Sequence, residues 1–208
     1  MDQAALILAI KNFLEDDSTD LSASIPQIIK QAEEIIFQRI PNLPCYRQRL
    51  DGVTVSGTES YIIPNARMIR QVSIIASESK FTYLNHRIDS YLRDYWPNPA
   101  LTGVPVMYNT NNAGIAGTII TLAPTPDSGY TFYIDYIAPE KGLSGEVIET
   151  WVSKNAENVL LSACLYEASA FLQSAETLAL YKTQFDEAIQ LFGQEMQRNY
   201  AAEFTGGL

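Results

Sequence analysis

Gly103-Val-Pro-Val-Met-Tyr108, then Ile119-Ile-Thr-Leu-Ala-Pro-Thr-Pro126, then Tyr130-Thr-Phe-Tyr-Ile-Asp-Tyr136 decide how this chain folds. These runs are rich in β-branched and aromatic residues, the types that fit a pleated, half-buried surface. Strands are expected over 104–108, 117–122 and 130–136. Asn111-Asn112 and Asp127-Ser128-Gly129 are the expected turns between them. Pro139 to Gly145 closes the β region as a loop, and a long helical pair follows. The block reads as a small sheet set into a helical protein. Nothing in it looks catalytic.

Upstream, Val53-Thr-Val55 and Ser60-Tyr-Ile-Ile-Pro64 alternate with period two and read as a hairpin or paired edge strands. Val72 to Ala76 and Phe81 to Tyr83 read as further strands, and Ile88 to Tyr95 as a short helix or turn. About six strands are expected in all. Before them, Ala4, Leu6, Ile7, Ile10, Phe13 and Leu14 recur at helical spacing. A second helix is expected from about Ile25 to Arg39, capped by Ser22 or Ser24, with Pro26 in its first turn and Pro41 and Pro44 stopping it.

Downstream, a helix is expected from Ile148 or Asn155 to Phe171, apolar over much of its circumference. Ser174 then caps a last helix. On it Leu178, Tyr181, Phe185, Ile189, Phe192, Met196 and Tyr200 recur every three or four residues. The class is α+β, with helices segregated from an antiparallel sheet. Residues 1–44 and 145–208 would form the helical bundle, and 45–144 a β-rich lobe.

The 208 residues suffice for one large domain or a helical domain with an inserted module. Apolar residues make up 47% and charged residues 18%, a globular balance. The net charge of -10 argues against wrapping nucleic acid, because phosphate binding needs a Lys and Arg surplus. An acidic lumen would instead let DNA slide past, if the protein surrounds it. Cys45 and Cys164 form no CxxC spacing and read as unpaired thiols, in keeping with synthesis in a cytoplasm. No basic region precedes Ala4 to Ile10, so no signal peptide is read. No apolar run approaches the roughly 20 residues of a membrane span.

No catalytic, cofactor or metal residue is assigned. His86 is the single histidine and lacks a nucleophile motif around it. Phosphate-loop, HExxH, GxSxG and GxGxxG patterns are missing. The acidic pairs Asp16-Asp17, Glu33-Glu34 and Asp186-Glu187 are sequence neighbours on helices or turns, so they read as solvated faces and not as dyads. Tyr83, Tyr91, Tyr95, Trp96 and Tyr108, with Arg87 and Arg93 interleaved, form a linear aromatic cluster. Such residues suit a stacking platform for single strands, which the acidic total disfavours, or a protein interface. Subunit interface and core packing both stand open for this cluster.

The ordered segments resemble the head-to-tail adaptors (connectors) of short-tailed bacteriophages, the SU10-type group. The resemblance rests on Gly57 to Pro64, Gly103 to Tyr108, Ile120 to Pro126, Tyr133-Ile-Asp-Tyr136, Leu143-Ser144 and Trp151. It continues through Leu160-Leu161, Ala163, Glu167-Ala168, Phe171-Leu172, Tyr181 and Phe185. It spans roughly residues 20 to 195 and leaves Ile88 to Pro99 unplaced. The resemblance implies a structural virion protein at the head-tail junction and no enzyme. It implies a homo-oligomeric ring, usually twelvefold, with genome DNA in its lumen. The portal lies above the ring and tail nozzle or tail-tube proteins below. In that setting Tyr91, Tyr95 and Trp96 are interface candidates in the lobe, and Phe204 and Leu208 are candidates for portal docking. The alternative from another class is a tail or baseplate component that binds a host glycan through its β-segment aromatics. An enzyme with an acidic site is the third reading.

Overall fold

The computed structural model describes residues 1–76 and 80–205, without the side chains of Ile115 and residues 200–205. Its elements begin with α1 (Gln3–Leu14), α2 (Thr19–Arg39), β1 (Arg47–Val53), β2 (Ser60–Ile63), β3 (Met68–Ile75), β4 (Phe81–Tyr83), β5 (Asn85–His86) and α3 (Asp89–Tyr95). They continue with β6 (Thr102–Gly103), β7 (Met107–Asn112), β8 (Thr118–Ala123), β9 (Thr125–Pro126), β10 (Thr131–Ile137), α4 (Trp151–Asn155), α5 (Glu157–Phe171) and α6 (Ala175–Thr205). The class is α+β, with N- and C-terminal helices flanking a β-rich middle. The chain divides into a helical unit, Met1–Cys45 with Pro139–Leu208, and a β unit, Tyr46–Ala138.

In the helical unit, α5 packs against α1, α2, α4 and α6. Its Leu160, Ala163, Cys164 and Ala168 are fully buried, while Phe171 and Leu172 at its end are exposed. Tyr181, Phe185, Ile189 and Phe192 of α6 are buried, so the expected stripe faces the core. Each such large side chain contributes about 1.5–3 kcal/mol on leaving water.

Two helix boundaries differ from the sequence reading. Helix α2 starts at Thr19, about six residues earlier than expected. Its cap is Ser18, whose hydroxyl accepts from the Leu21 amide at 3.2 Å. Ser22 and Ser24 instead donate to the carbonyls of Ser18 and Asp20. Pro26 therefore lies inside the helix, where it offers no N–H to the Ser22 carbonyl. Burial outweighs that loss. Leu21 and Ile25, before the proline, extend the buried row of Ile28, Ile29, Ala32 and Ile36. For the helix to Phe171, the Asn155 start is close to the observed Glu157 start of α5, and the Ile148 start is not met because the helix is divided. Ala156 leaves helical geometry at φ -137 and ψ 43, and the short α4 has its own reciprocal cap between Thr150 and Ser153.

Carboxylates fasten the segment that leads into α4. Glu33 of α2 is largely buried and accepts from the Leu143 amide through both oxygens, at 3.1 and 3.2 Å. Glu140 accepts from the Trp151 amide at 3.1 Å. A Cβ on Gly142 would lie 2.3 Å from a Glu33 carboxylate oxygen, so a larger residue there would push that carboxylate aside.

The β unit holds two four-stranded sheets, ordered β1-β10-β3-β4 and β2-β8-β7-β5, and a two-stranded ladder, β6-β9. The first sheet is antiparallel throughout. In the second, only β5 runs parallel to its neighbour. Val72, Ile74, Phe132, Ile134 and Tyr136 of the first sheet share one core with Ile63, Tyr108, Ile120 and Leu122 of the second. The unit is thus a small sandwich, its inner faces filled by alternate residues.

The expected strands near 72–76, 81–83, 117–122 and 130–136 appear within β3, β4, β8 and β10. The 104–108 strand is shifted to 107–112. Asn111 and Asn112 are therefore strand residues, and the turn is carried by Ala113 to Gly117, with the Ala113 amide bonded to the Gly117 carbonyl at 2.9 Å. The expected hairpin between 53–55 and 60–64 does not form. β1 pairs with β10 and β2 with β8, in different sheets. The Gly57 amide bonds to Pro126 at 2.9 Å, and this tie leads the chain away from β1.

Candidate functional site

Helix α3 lies on the outer face of the second sheet. Its Leu92 packs on Met107 and Ala123, with Trp96 against the same cluster. Arg93 fixes it further, with two bonds to the Glu59 carboxylate at 3.2 and 3.3 Å. This pairing raises the Arg93 guanidinium above its ordinary range. Asp89 sits 3.9 Å from Arg93.

The opposite face of α3 turns to water. Tyr91 and Tyr95, four residues apart and therefore on one face, stack with planes 4° apart and centroids at 6.5 Å. They are 47% and 58% exposed. The Arg87 guanidinium lies 5.3 Å from the Tyr91 centroid, within cation-π range. Ile88 beside them is 67% exposed. His86, Arg87, Ile88 and Tyr91 border an open groove of about 500 Å³. Partly exposed aromatics with one arginine are the residue types that carry protein interfaces.

Trp96 behaves differently. It is half-buried, and its indole N–H donates to the Leu101 carbonyl at 2.8 Å. The linear aromatic cluster is not one patch. Tyr108 is buried in the sandwich core, and Tyr83 lies on β4 of the first sheet. Leu208 falls outside the described residues, as does the side chain of Phe204 at the end of α6.

A second concavity of about 790 Å³ lies in the helical unit, between Arg39 to Leu43 and the Lys182 to Gln197 stretch of α6. The sequence reading did not point to it. Its lining residues are separated by about 140 positions, so no local pattern marks it.

No group of three His, Cys, Asp or Glu side chains suited to a metal is found among the described residues. His86 is exposed, and its Nε2 lies 3.3 Å from the Thr110 hydroxyl. Among the described residues no helix is long and apolar enough to cross a membrane. Charge is divided unevenly. The β unit carries seven Lys/Arg and seven Asp/Glu, and the helical unit seven and 17, so the whole net charge of -10 belongs to the helical unit.

The family model for the SU10 adaptor protein matches residues 1–206. The chain belongs to the SU10 adaptor family. It is thus a structural protein of the bacteriophage virion, an adaptor of the head-tail junction. No curated protein matches it. The exposed α3 face and the helical-unit groove are accordingly surfaces of an assembly component.

Proposed function

We propose that this adaptor forms a homo-oligomeric ring of twelve subunits between the portal and the tail nozzle or tail tube. Genome DNA passes through its lumen without sequence-specific contact, and the adaptor has no catalytic role. The family match across residues 1–206 carries this reading. In it, the helical parts 1–44 and 145–208 face the portal and the β-rich 45–144 faces the tail. The chain is made in the host cytoplasm and ends in the virion.

Physical chemistry supports ring closure and free passage of DNA. Ring closure needs a heterologous interface, with two different patches on every subunit. The exposed Tyr91-Tyr95 stack with Arg87 is suited to one of them, with Trp96 bracing α3 from below. Phe204 and Leu208 are assigned to portal docking. An acidic unit next to DNA repels phosphate and keeps the passage free of sticking.

The test is light scattering of the adaptor alone and mixed with the portal encoded beside it. A fixed-stoichiometry complex with twelve adaptors is expected. No association at any salt concentration refutes the proposal. Truncation after Tyr200 is expected to weaken portal binding. Tyr91→Ala with Tyr95→Ala is expected to weaken ring closure, so that fewer than twelve adaptors stay on the portal.

A further inference from the structure

The first sheet of the β unit is open at both ends, and its two edges match each other. Among the described residues, strand β1 pairs only with β10. The Ala138 amide bonds to the Tyr46 carbonyl, and the Thr54 amide to the Tyr130 carbonyl. In an antiparallel ladder such bonded pairs alternate. Even-numbered residues of β1 therefore turn their N–H and C=O toward β10, and Arg49, Asp51 and Val53 turn theirs outward. At the other edge, the Leu84 amide bonds to Val72 in register with Tyr83↔Ser73 and Phe81↔Ile75. By the same alternation, Phe81 and Tyr83 turn their backbone groups outward.

We infer that β1 of one subunit pairs with β4 of the next, so that the first sheet runs on from copy to copy. The inference rests on the ring reading above. Four antiparallel strands place β4 opposite in direction to β1, so a neighbour's β1 joins β4 antiparallel. Side chains select the register. Val53, Thr131, Ile75 and Phe81 form one row across the sheet, and Asp51, Tyr133, Ser73 and Tyr83 the next. Val53 and Phe81, at the two ends of the first row, are 61% and 53% exposed. Pairing Val53 with the neighbour's Phe81, and Asp51 with its Tyr83, continues both rows and covers both apolar ends. The alternative of β1 on a second β1 uses the same patch twice, so it closes as a pair and does not build a ring. Two residue pairs cover far less than the roughly 1,200 Å² of a stable interface. The edges therefore join only when the portal holds subunits side by side.

The test uses Val53→Cys with Phe81→Cys in a Cys45→Ser chain. Within one chain these positions lie three strand spacings apart, roughly 14 Å, beyond disulfide reach. Across the proposed contact their Cα atoms are about 5.5 Å apart. Oxidation of portal-bound subunits is expected to give a ladder of covalent multimers, absent from either single variant and from free subunits. Rings that form and yield no ladder overturn the edge pairing and leave the ring reading standing. Wild-type subunits that form no ring on the portal overturn both. Hydrogen exchange on the wild-type chain is the second readout. Amides of Asp51, Val53, Phe81 and Tyr83 are expected to slow at least tenfold on the portal. Unchanged exchange, or slowing only after a tail protein is added, overturns the pairing.

Discussion

Ser169→Ala is expected to stabilise the adaptor. Ser169 is fully buried on α5, and its hydroxyl is the one buried side-chain N or O atom without a hydrogen-bond partner among the described residues. Ser162, on the same helix, donates to the Asn158 carbonyl at 2.7 Å, so Ser169 forgoes a bond its neighbour makes. An unsatisfied buried polar group costs about 1–3 kcal/mol. Alanine also exceeds serine in helix propensity by about 0.5 kcal/mol. The cavity left by one oxygen offsets part of this, at about 24 cal/mol per Å³. The net expectation is a gain of about 1–2 kcal/mol. Urea denaturation followed at 222 nm measures it. With a slope of about 2–3 kcal/mol/M, the midpoint should rise by about 0.5 M at unchanged slope. A midpoint that falls would refute the reasoning, because it would mean that the hydroxyl has a partner or that its volume matters more than its polarity.

Glu33→Gln should change the pH dependence of stability. Burial lifts the Glu33 carboxyl above its ordinary value of 4.5, against the Leu143 amide that lowers it, with Glu140 adding to the rise. As pH rises through the window between these values, the unfolded chain gives up this proton first, so wild-type stability declines there. The glutamine keeps an acceptor for Leu143 and should lack the decline, and parallel urea-midpoint profiles between pH 4 and 7 would refute this. Gly117→Ala should cost at least about 2 kcal/mol, since Gly117 has φ +116 and its Cβ would meet the Ile63 carbonyl oxygen at 2.2 Å; an unshifted melting temperature would refute it. In thiol labelling, native protein should react at Cys45 alone and urea-unfolded protein at both cysteines. Cys164 is fully buried, and burial pushes its thiol far above the ordinary range; rapid native labelling of two thiols would count against that burial.

Strands β8 and β10 were legible because β-branched and aromatic residues fill them on both faces, a local signal. β1 was not. Its sequence, Arg47-Gln-Arg-Leu-Asp-Gly-Val53, carries Arg47, Arg49 and Asp51 on the exposed side, a charge pattern common on edge strands, and its partner lies some 85 residues away. Local alternation suggested a hairpin with Ser60 to Pro64, and long-range pairing overrode it. Pro26 misled the reading of α2 for a similar reason. Proline signals a first turn, but the burial of Leu21 and Ile25 is a tertiary fact. The i,i+4 spacing of Tyr91 and Tyr95 forecast their shared face on α3. The inward turn of Trp96 depends on Met107 and Ala123, which no helix periodicity reveals.

The two units use different physics, and the division bears on how an adaptor assembles. The helical unit carries all ten net negative charges, so neighbouring copies repel one another wherever these units approach. That repulsion keeps free subunits apart at low salt and is screened over about 8–10 Å at physiological salt. The β unit is electrically neutral, with its charges drawn into pairs such as Arg49-Asp135 at 2.7 Å and Arg93-Glu59 at 3.2 Å. Its surface mixes polar residues with exposed apolar and aromatic ones such as Val53, Phe81, Tyr83, Ile88, Tyr91 and Tyr95, and its edges hold outward backbone groups. Contacts of this kind are short-ranged and directional, and they gain strength only once subunits are already aligned. A chain built this way resists premature association through one unit and stores its specificity in the other. That combination suits the ring proposed above, in which subunits meet on the portal.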